Sequence, residues 1–168
     1  MKRIKPQRAG SPDEFNTPDN ALEPLLRHIP KDWCIWEPAT GKMGEMQSLV
    51  NGLQKRGYKV LTTNGLFSIF NPPSGEFDCI VTNPPYSIKD RFLDICYTYE
   101  KPFALLMPIT ALEGKARQRL YKRFGIQLIL LDSRINFIEG GSGAWFPVAW
   151  FTYGLNLNRD LIFETVNL

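Results

Sequence analysis

Three features of the sequence predict a doubly wound, mostly parallel α/β fold. Short apolar, β-rich runs alternate with segments whose apolar residues recur at helical spacing. A glycine-containing turn after Trp36 joins one such run to the next helix, as in the first crossover of an open sheet. A further run over 77–81 ends in Thr82-Asn83-Pro84-Pro85-Tyr86, a stiff loop at a strand's carboxyl end, where such sheets bind ligands. The 168 residues suit one domain, and 43% hydrophobic with 22% charged residues is globular composition. A formal net charge of +3 permits a nucleic-acid partner without demanding one.

In chain order, residues 1–14 are polar and basic with Pro6, Gly10 and Pro12, a flexible arm ahead of a single domain over 15–168. Thr17 is the expected N-cap and Pro18 the first residue of a helix with the stripe Ala21, Leu22, Leu25, Leu26 and Ile29. Residues 33–36 form a short strand. Met46, Leu49, Val50 and Leu53 then give a helix that stops at Arg56-Gly57. Residues 58–62 are the next strand, with Thr63-Asn64-Gly65 after it. Ser68-Ile69-Phe70 leads into Asn71-Pro72-Pro73-Ser74, which repeats the shape of the later loop. It lacks a following aromatic and reads as a connector.

A helix is expected over 88–99, a buried strand over 103–107 ending at Pro108, and a helix over 111–124 capped by Gly125. Strands follow over 127–131 and 148–153, and residues from Gly154 onward read as an edge strand or tail. The connection over 132–147 is long enough to be functional.

Cys34, Cys79 and Cys96 are widely spaced, no CxxC is present and His28 is the only histidine, which argues against a disulfide framework or a zinc site. Free buried thiols point to a reducing cytosol. No apolar run is long enough to span a bilayer, and no signal-peptide core follows the basic start. The expectation is a cytoplasmic protein with no metal and no membrane partner.

The loop at 82–86 carries specific chemistry. Its two prolines fix their own φ and hold the residues before them extended. Asn83 Oδ1 and the Pro84 carbonyl can accept both hydrogens of an amino group on a flat heterocycle, while Tyr86 stacks on the ring. Accepting both hydrogens draws the nitrogen lone pair out of ring conjugation. Positive charge building on that nitrogen is stabilised by the same acceptors. An amine attacks before losing its proton, so no strong base is needed.

Asn83-Pro84-Pro85-Tyr86 resembles the signature of S-adenosylmethionine-dependent amino-methyltransferases, which methylate adenine N6 and, in some members, a protein glutamine. Phe15-Asn16-Thr17-Pro18 is similar to the cofactor motif of that family. Glu37-Pro38-Ala39-Thr40-Gly41 is similar to its Glu-Pro-x-x-Gly-x-Gly loop, with the second glycine one place late at Gly44. The resemblance covers roughly residues 15–154. It implies a Rossmann-like class I methyltransferase with seven strands, the last antiparallel, and S-adenosyl-L-methionine as cofactor. It assigns Asn83, Pro84, Pro85 and Tyr86 to catalysis, and Phe15, Thr17, Pro18, Glu37, Pro38, Ala39, Gly41, Asn64 and Phe70 to the cofactor side. Where relatives carry carboxylates for the ribose and the adenine amine, this chain has Asn64 and Ser68.

The motif order implies a catalytic core with no separate target-recognition domain, so that a partner protein or a second copy supplies recognition. Trp145 and Phe146 either form the far wall of a base pocket or anchor the last strand. Lys115, Arg119, Lys122 and Arg123 lie close to one helical face. Arg119 and Lys122 are candidate substrate contacts, against the plainer reading of a solvated surface. The implied activity is methyl transfer to adenine N6 in nucleic acid, DNA ahead of RNA. Protein-glutamine methylation and a non-catalytic binding module are the alternatives.

Overall fold

The structure is a computed structural model that describes residues 16–40, 47–63, 68–137 and 146–167. Phe15, Gly41, Asn64 and Trp145, together with Met43, Gly44 and Met46, lie outside the described residues.

Among the described residues, β1 (Cys34–Glu37), β2 (Lys59–Thr62), β3 (Cys79–Thr82), β4 (Phe103–Pro108), β5 (Gln127–Leu131), β6 (Val148–Tyr153) and β7 (Leu161–Glu164) form one sheet in the order β2-β1-β3-β4-β6-β5-β7. The helices are α1 (Asp19–Leu26), α2 (Ser48–Lys55), α3 (Lys89–Thr98) and α4 (Lys115–Phe124). β1 pairs in parallel with β2 and β3, and β3 with β4; β6 runs antiparallel to both β4 and β5.

Alternate side chains of the central strands feed two cores, as a sheet covered on both faces requires. Ile35, Val81, Ala104, Leu106 and Trp150 face α1 and α2 through Leu22, Leu25, Leu49 and Leu53. Trp36, Ile80, Phe103, Leu105, Met107 and Phe151 face α3 through Phe92, Leu93, Cys96 and Tyr97. The Trp150 indole reaches through the first core to donate to the Ala21 carbonyl at 2.8 Å. All three cysteines are buried and free.

Four expectations need correction. The antiparallel strand is the sixth and not the last, because the chain turns back after Gly154 (φ 69°) and Asn156 (φ 54°) and lays β7 parallel to β5. Pro18, with an extended ψ of 154°, occupies the N-cap position expected for Thr17; its carbonyl receives the Ala21 amide at 3.0 Å and the helix starts at Asp19. The helix expected over 111–124 is broken by Gly114 into a 3-10 turn, Ile109–Leu112, and α4. The helix expected over 88–99 spans Lys89–Thr98 and follows a 3-10 turn, Tyr86–Ile88.

Gly114 sits at φ 111°, and a Cβ there would meet the Arg117 guanidinium at 2.7 Å. That guanidinium is already bonded to the Ala111 carbonyl and Asp90. Gly114→Ala is therefore expected to cost more than about 1 kcal/mol and to lower the thermal midpoint by roughly 3 °C or more, checked by calorimetry.

Candidate active site

β1 and β3 are parallel neighbours, in register at Ile35↔Cys79 and Trp36↔Ile80, so the loops after Glu37 and Thr82 leave the sheet side by side at its carboxyl edge. β6 is antiparallel to β4, with Val148 opposite Pro108. Its start, and hence Phe146, is delivered to that same edge.

Glu37 ends β1 with only 2% of its surface exposed. Its Oε1 accepts the Ala39 amide at 2.7 Å, which curls the loop back on the strand. Burial pushes the carboxyl up to about 8, opposed by the Thr82 hydroxyl and the Ala39 amide. The buried Thr82 hydroxyl lies near enough to favour the charged form without meeting the full geometry of a hydrogen bond. Pro38 is buried and its carbonyl accepts the Ser68 hydroxyl, which ties the 3-10 turn Ser68–Phe70 to the β1 loop. The Tyr99 hydroxyl fixes that turn from below by donating to the Ile69 carbonyl at 2.6 Å. Phe70 is left 43% exposed at its end. Trp36 Nε1 donates to Thr63 Oγ1 at 3.0 Å and the Thr40 hydroxyl to the Thr63 carbonyl at 3.2 Å, so the end of β2 is held against the same loop.

On the β3 side, Asn83 is half-buried, Pro84 and Pro85 are buried, and Tyr86 keeps 9% of its surface exposed. Pro85, at φ −55° and ψ 123°, accepts the Ile88 amide at 3.1 Å and so opens the turn that runs into α3. Lys89 Nζ donates to the Tyr86 carbonyl at 3.1 Å. Phe146 meets Tyr86 edge-on, ring centres 5.6 Å apart and planes at 70°. The following Pro147 accepts the Ile109 amide at 3.0 Å, which pins Phe146 beside the end of β4.

The structure thus gathers Glu37, Pro38, Ala39, Phe70, Asn83, Pro84, Pro85, Tyr86 and Phe146 at one edge. Thr17 is buried and Pro18 half-buried where α1 begins, against α2 and β5. Arg119 and Lys122 are exposed on α4, which crosses from the carboxyl end of β4 to the amino end of β5, so Lys122 lies toward the opposite edge from Asn83. Thr40, Thr63 and Thr82 lie inside the motifs read from the sequence and carry no assigned role there. Thr63 and Thr82 follow or end short strands and Thr40 lies in the loop after β1, and position is their only signal.

No family model matches the sequence, and no curated protein matches it. Solved structures do resemble the fold. A type I restriction-modification methyltransferase subunit from Streptococcus thermophilus aligns at 16% identity and TM-score 0.54, over 90% of this chain and 47% of that one. A candidate class I S-adenosylmethionine-dependent methyltransferase from Listeria monocytogenes aligns at 12% identity and TM-score 0.55, over 90% and 65%. A modification subunit of a candidate type I restriction enzyme from Vibrio vulnificus gives 12% identity and TM-score 0.52, over 95% and 48%. The chain spans about half the length of two of these and under two thirds of the third. Its seven-stranded, mostly parallel sheet is the Rossmann-like class I methyltransferase fold. Among the described residues, no helix is long and apolar enough to cross a membrane.

Proposed function

We propose that the chain transfers a methyl group from S-adenosyl-L-methionine to the N6 amino group of adenine in nucleic acid, DNA ahead of RNA. The observation that carries this reading is the Asn83-Pro84-Pro85-Tyr86 corner, set beside the Glu37-Pro38-Ala39 loop and edge-on to Phe146. Two of the fold's neighbours are a methyltransferase subunit of a type I restriction-modification system and a modification subunit of a candidate type I restriction enzyme, which supports a nucleic-acid substrate and a partner that supplies target recognition.

The residues at the edge fit the cofactor. The curled Glu37 loop offers backbone close to its strand, and the exposed ring of Phe70, at the end of the turn that Ser68 ties to the Pro38 carbonyl, suits the face of an adenine. Thr17 and Pro18, at the start of α1, are cofactor-side candidates on the sequence resemblance alone, as are Phe15, Gly41 and Asn64. When bound, S-adenosylmethionine supplies the methyl group as an electrophilic carbon on a sulfonium sulfur. The chain's part is to accept the two amino hydrogens on Asn83 Oδ1 and the Pro84 carbonyl, to stack the base on Tyr86, and to aim the nitrogen lone pair along the line of displacement. A paired adenine must leave its duplex to reach this corner.

Phe146 bounds the Tyr86 ring, so it shapes the space for the base and takes no part in bond making. Phe146→Ala is expected to raise KM for nucleic acid about 10-fold, as the loss of one aromatic contact of about 1–3 kcal/mol implies, with kcat changed less. Steady-state kinetics with an oligonucleotide checks this.

A non-catalytic binding module stays as the second reading for one reason. Ser68 is buried with its hydroxyl donating to the Pro38 carbonyl, and a neutral hydroxyl is a weaker acceptor for a cofactor amine than the carboxylate that relatives carry there. Methyl-labelled cofactor, offered with duplex DNA, single-stranded DNA, RNA and protein, tests the proposal. Label in DNA supports it, label in protein supports glutamine methylation, and label nowhere with no calorimetric heat from the cofactor supports the binding module.

A further inference from the structure

We propose that the outer face of α4 is a docking surface for a nucleic-acid backbone, distinct from the corner that holds the base. The inference rests on the nucleic-acid substrate proposed above. α4 reads Lys-Ala-Arg-Gln-Arg-Leu-Tyr-Lys-Arg-Phe and contains no acidic residue. At 3.6 residues per turn, Lys115, Arg119, Lys122 and Arg123 fall within about 100° of arc and extend about 12 Å along the axis. All four are exposed.

The other face of the helix is occupied. Leu120 and Tyr121 pack on the sheet, Phe124 stacks on Tyr97 with ring centres 4.8 Å apart, and Arg117 turns inward to Asp90 and the Glu113 carbonyl. The ion pairs found among the described residues take their cations from Arg27, His28, Lys55, Arg56 and Arg117, and none from this outer face.

Lys122 and Arg123 lie in the last turn, where the helix dipole favours cations, but the rest of the row is placed against the helix's own stability. Lys115–Arg119 and Arg119–Arg123 are like-charged pairs at i,i+4, and Lys115 sits in the first turn, where the helix dipole favours an acid. Like charges crowded at i,i+4 repel, and a row of phosphates offsets that repulsion. The face also begins in the right place. α4 follows the turn at the carboxyl end of β4, and Arg117 grips Asp90, four residues beyond Tyr86. A strand entering the corner can therefore continue along α4. A membrane surface fits less well, because Leu120 and Tyr121 are packed on the sheet and Phe124, though part exposed, is stacked on Tyr97, which leaves no broad apolar face to insert into lipid.

The test is fluorescence anisotropy of the full chain with a labelled DNA duplex, without cofactor, over about 50 to 200 mM salt. In the variant with Lys115, Arg119, Lys122 and Arg123 all changed to Gln, the slope of log K against log salt is expected to become shallower by about 3 to 4, at about 0.9 per phosphate contact. Affinity at the low-salt end is expected to fall about 100-fold or more. A second variant removes the same charge elsewhere, with Lys31, Lys55 and Arg159 changed to Gln and Lys59 to Gln; it is expected to keep the steep slope. A melting curve establishes that both variants are folded.

An unchanged slope in the α4 variant overturns the inference, as does an equal loss in the charge-matched control. Binding to vesicles of anionic phospholipid that exceeds binding to duplex, and that is lost in the α4 variant, overturns it in favour of a membrane surface. Because binding is read without methyl transfer, a chain that proves inactive can still pass this test, and an active one can fail it.

Discussion

Asn83→Ala is expected to lower kcat for adenine methylation by about 100- to 1,000-fold while leaving KM for nucleic acid within a few-fold. Asn83 supplies one of two acceptors for the amino hydrogens, and the demand on it grows as charge builds on nitrogen. Its loss is therefore felt in the transition state and little in the ground state. The Pro84 carbonyl remains, held by the same rigid backbone, so some activity persists. Tyr86 and Phe146 also remain, so the base still has its stacking partner. Asn83 is half-buried and follows the last residue of β3, so the variant is expected to fold, which a melting curve checks. Asn83→Asp keeps an acceptor oxygen at the same reach and is expected to retain more activity than the alanine variant. Comparison of the two separates hydrogen-bond acceptance from simple space filling.

Glu37→Gln is expected to flatten the dependence of stability on pH. Burial holds the folded carboxyl at about 8, against an ordinary value of 4.5. Between those two values the unfolded chain has lost this proton and the folded chain keeps it, so folding takes up a proton. Stability therefore falls as pH rises from 4.5 to about 8 and levels off above that. The full span corresponds to about 5 kcal/mol at most, by the free energy per unit of pKa. Glutamine stays neutral and keeps an oxygen for the Ala39 amide, so the variant is expected to match the natural chain near pH 4 and to exceed it by a few kcal/mol near pH 9. Urea denaturation across this range checks it. Parallel pH profiles for the two proteins would show that Glu37 is not held neutral by burial.

The legible parts of this fold were those written locally. Strands such as β3 and β4 are apolar throughout because both faces of the sheet are covered, and that pattern is visible in any window of five residues. The proline pair after β3 announces a rigid corner for the same reason: its constraint lies in the residues themselves. Where one residue reverses a local trend, the boundary moved. Gly114 broke a helix whose apolar spacing runs through it, and Pro18 took an extended ψ that pushed the start of α1 past Thr17. β7 was legible only as an edge strand or tail, since its identity depends on pairing with β5 across thirty or so residues.

The least legible features were long-range polar contacts. Nothing near Ser68 says that its hydroxyl will find the Pro38 carbonyl, and nothing near Thr63 says that it will receive both Trp36 and Thr40. Phe146 was readable as an aromatic at a loop's end, with two roles open, because its neighbour Tyr86 is sixty residues away. The fold supplies that proximity by running β6 antiparallel to β4, a choice that no single segment encodes.

The most direct measurement is the identity of the methylated nucleoside after a DNA duplex has been incubated with the chain and S-adenosylmethionine, digested, and resolved by mass spectrometry. The expected product is N6-methyladenine, formed by the natural chain and reduced to about a hundredth or less by Asn83→Ala. Methyl groups on cytosine, or adenine methylation that survives undiminished in Asn83→Ala, would contradict the assignment of the proline corner to an adenine amine.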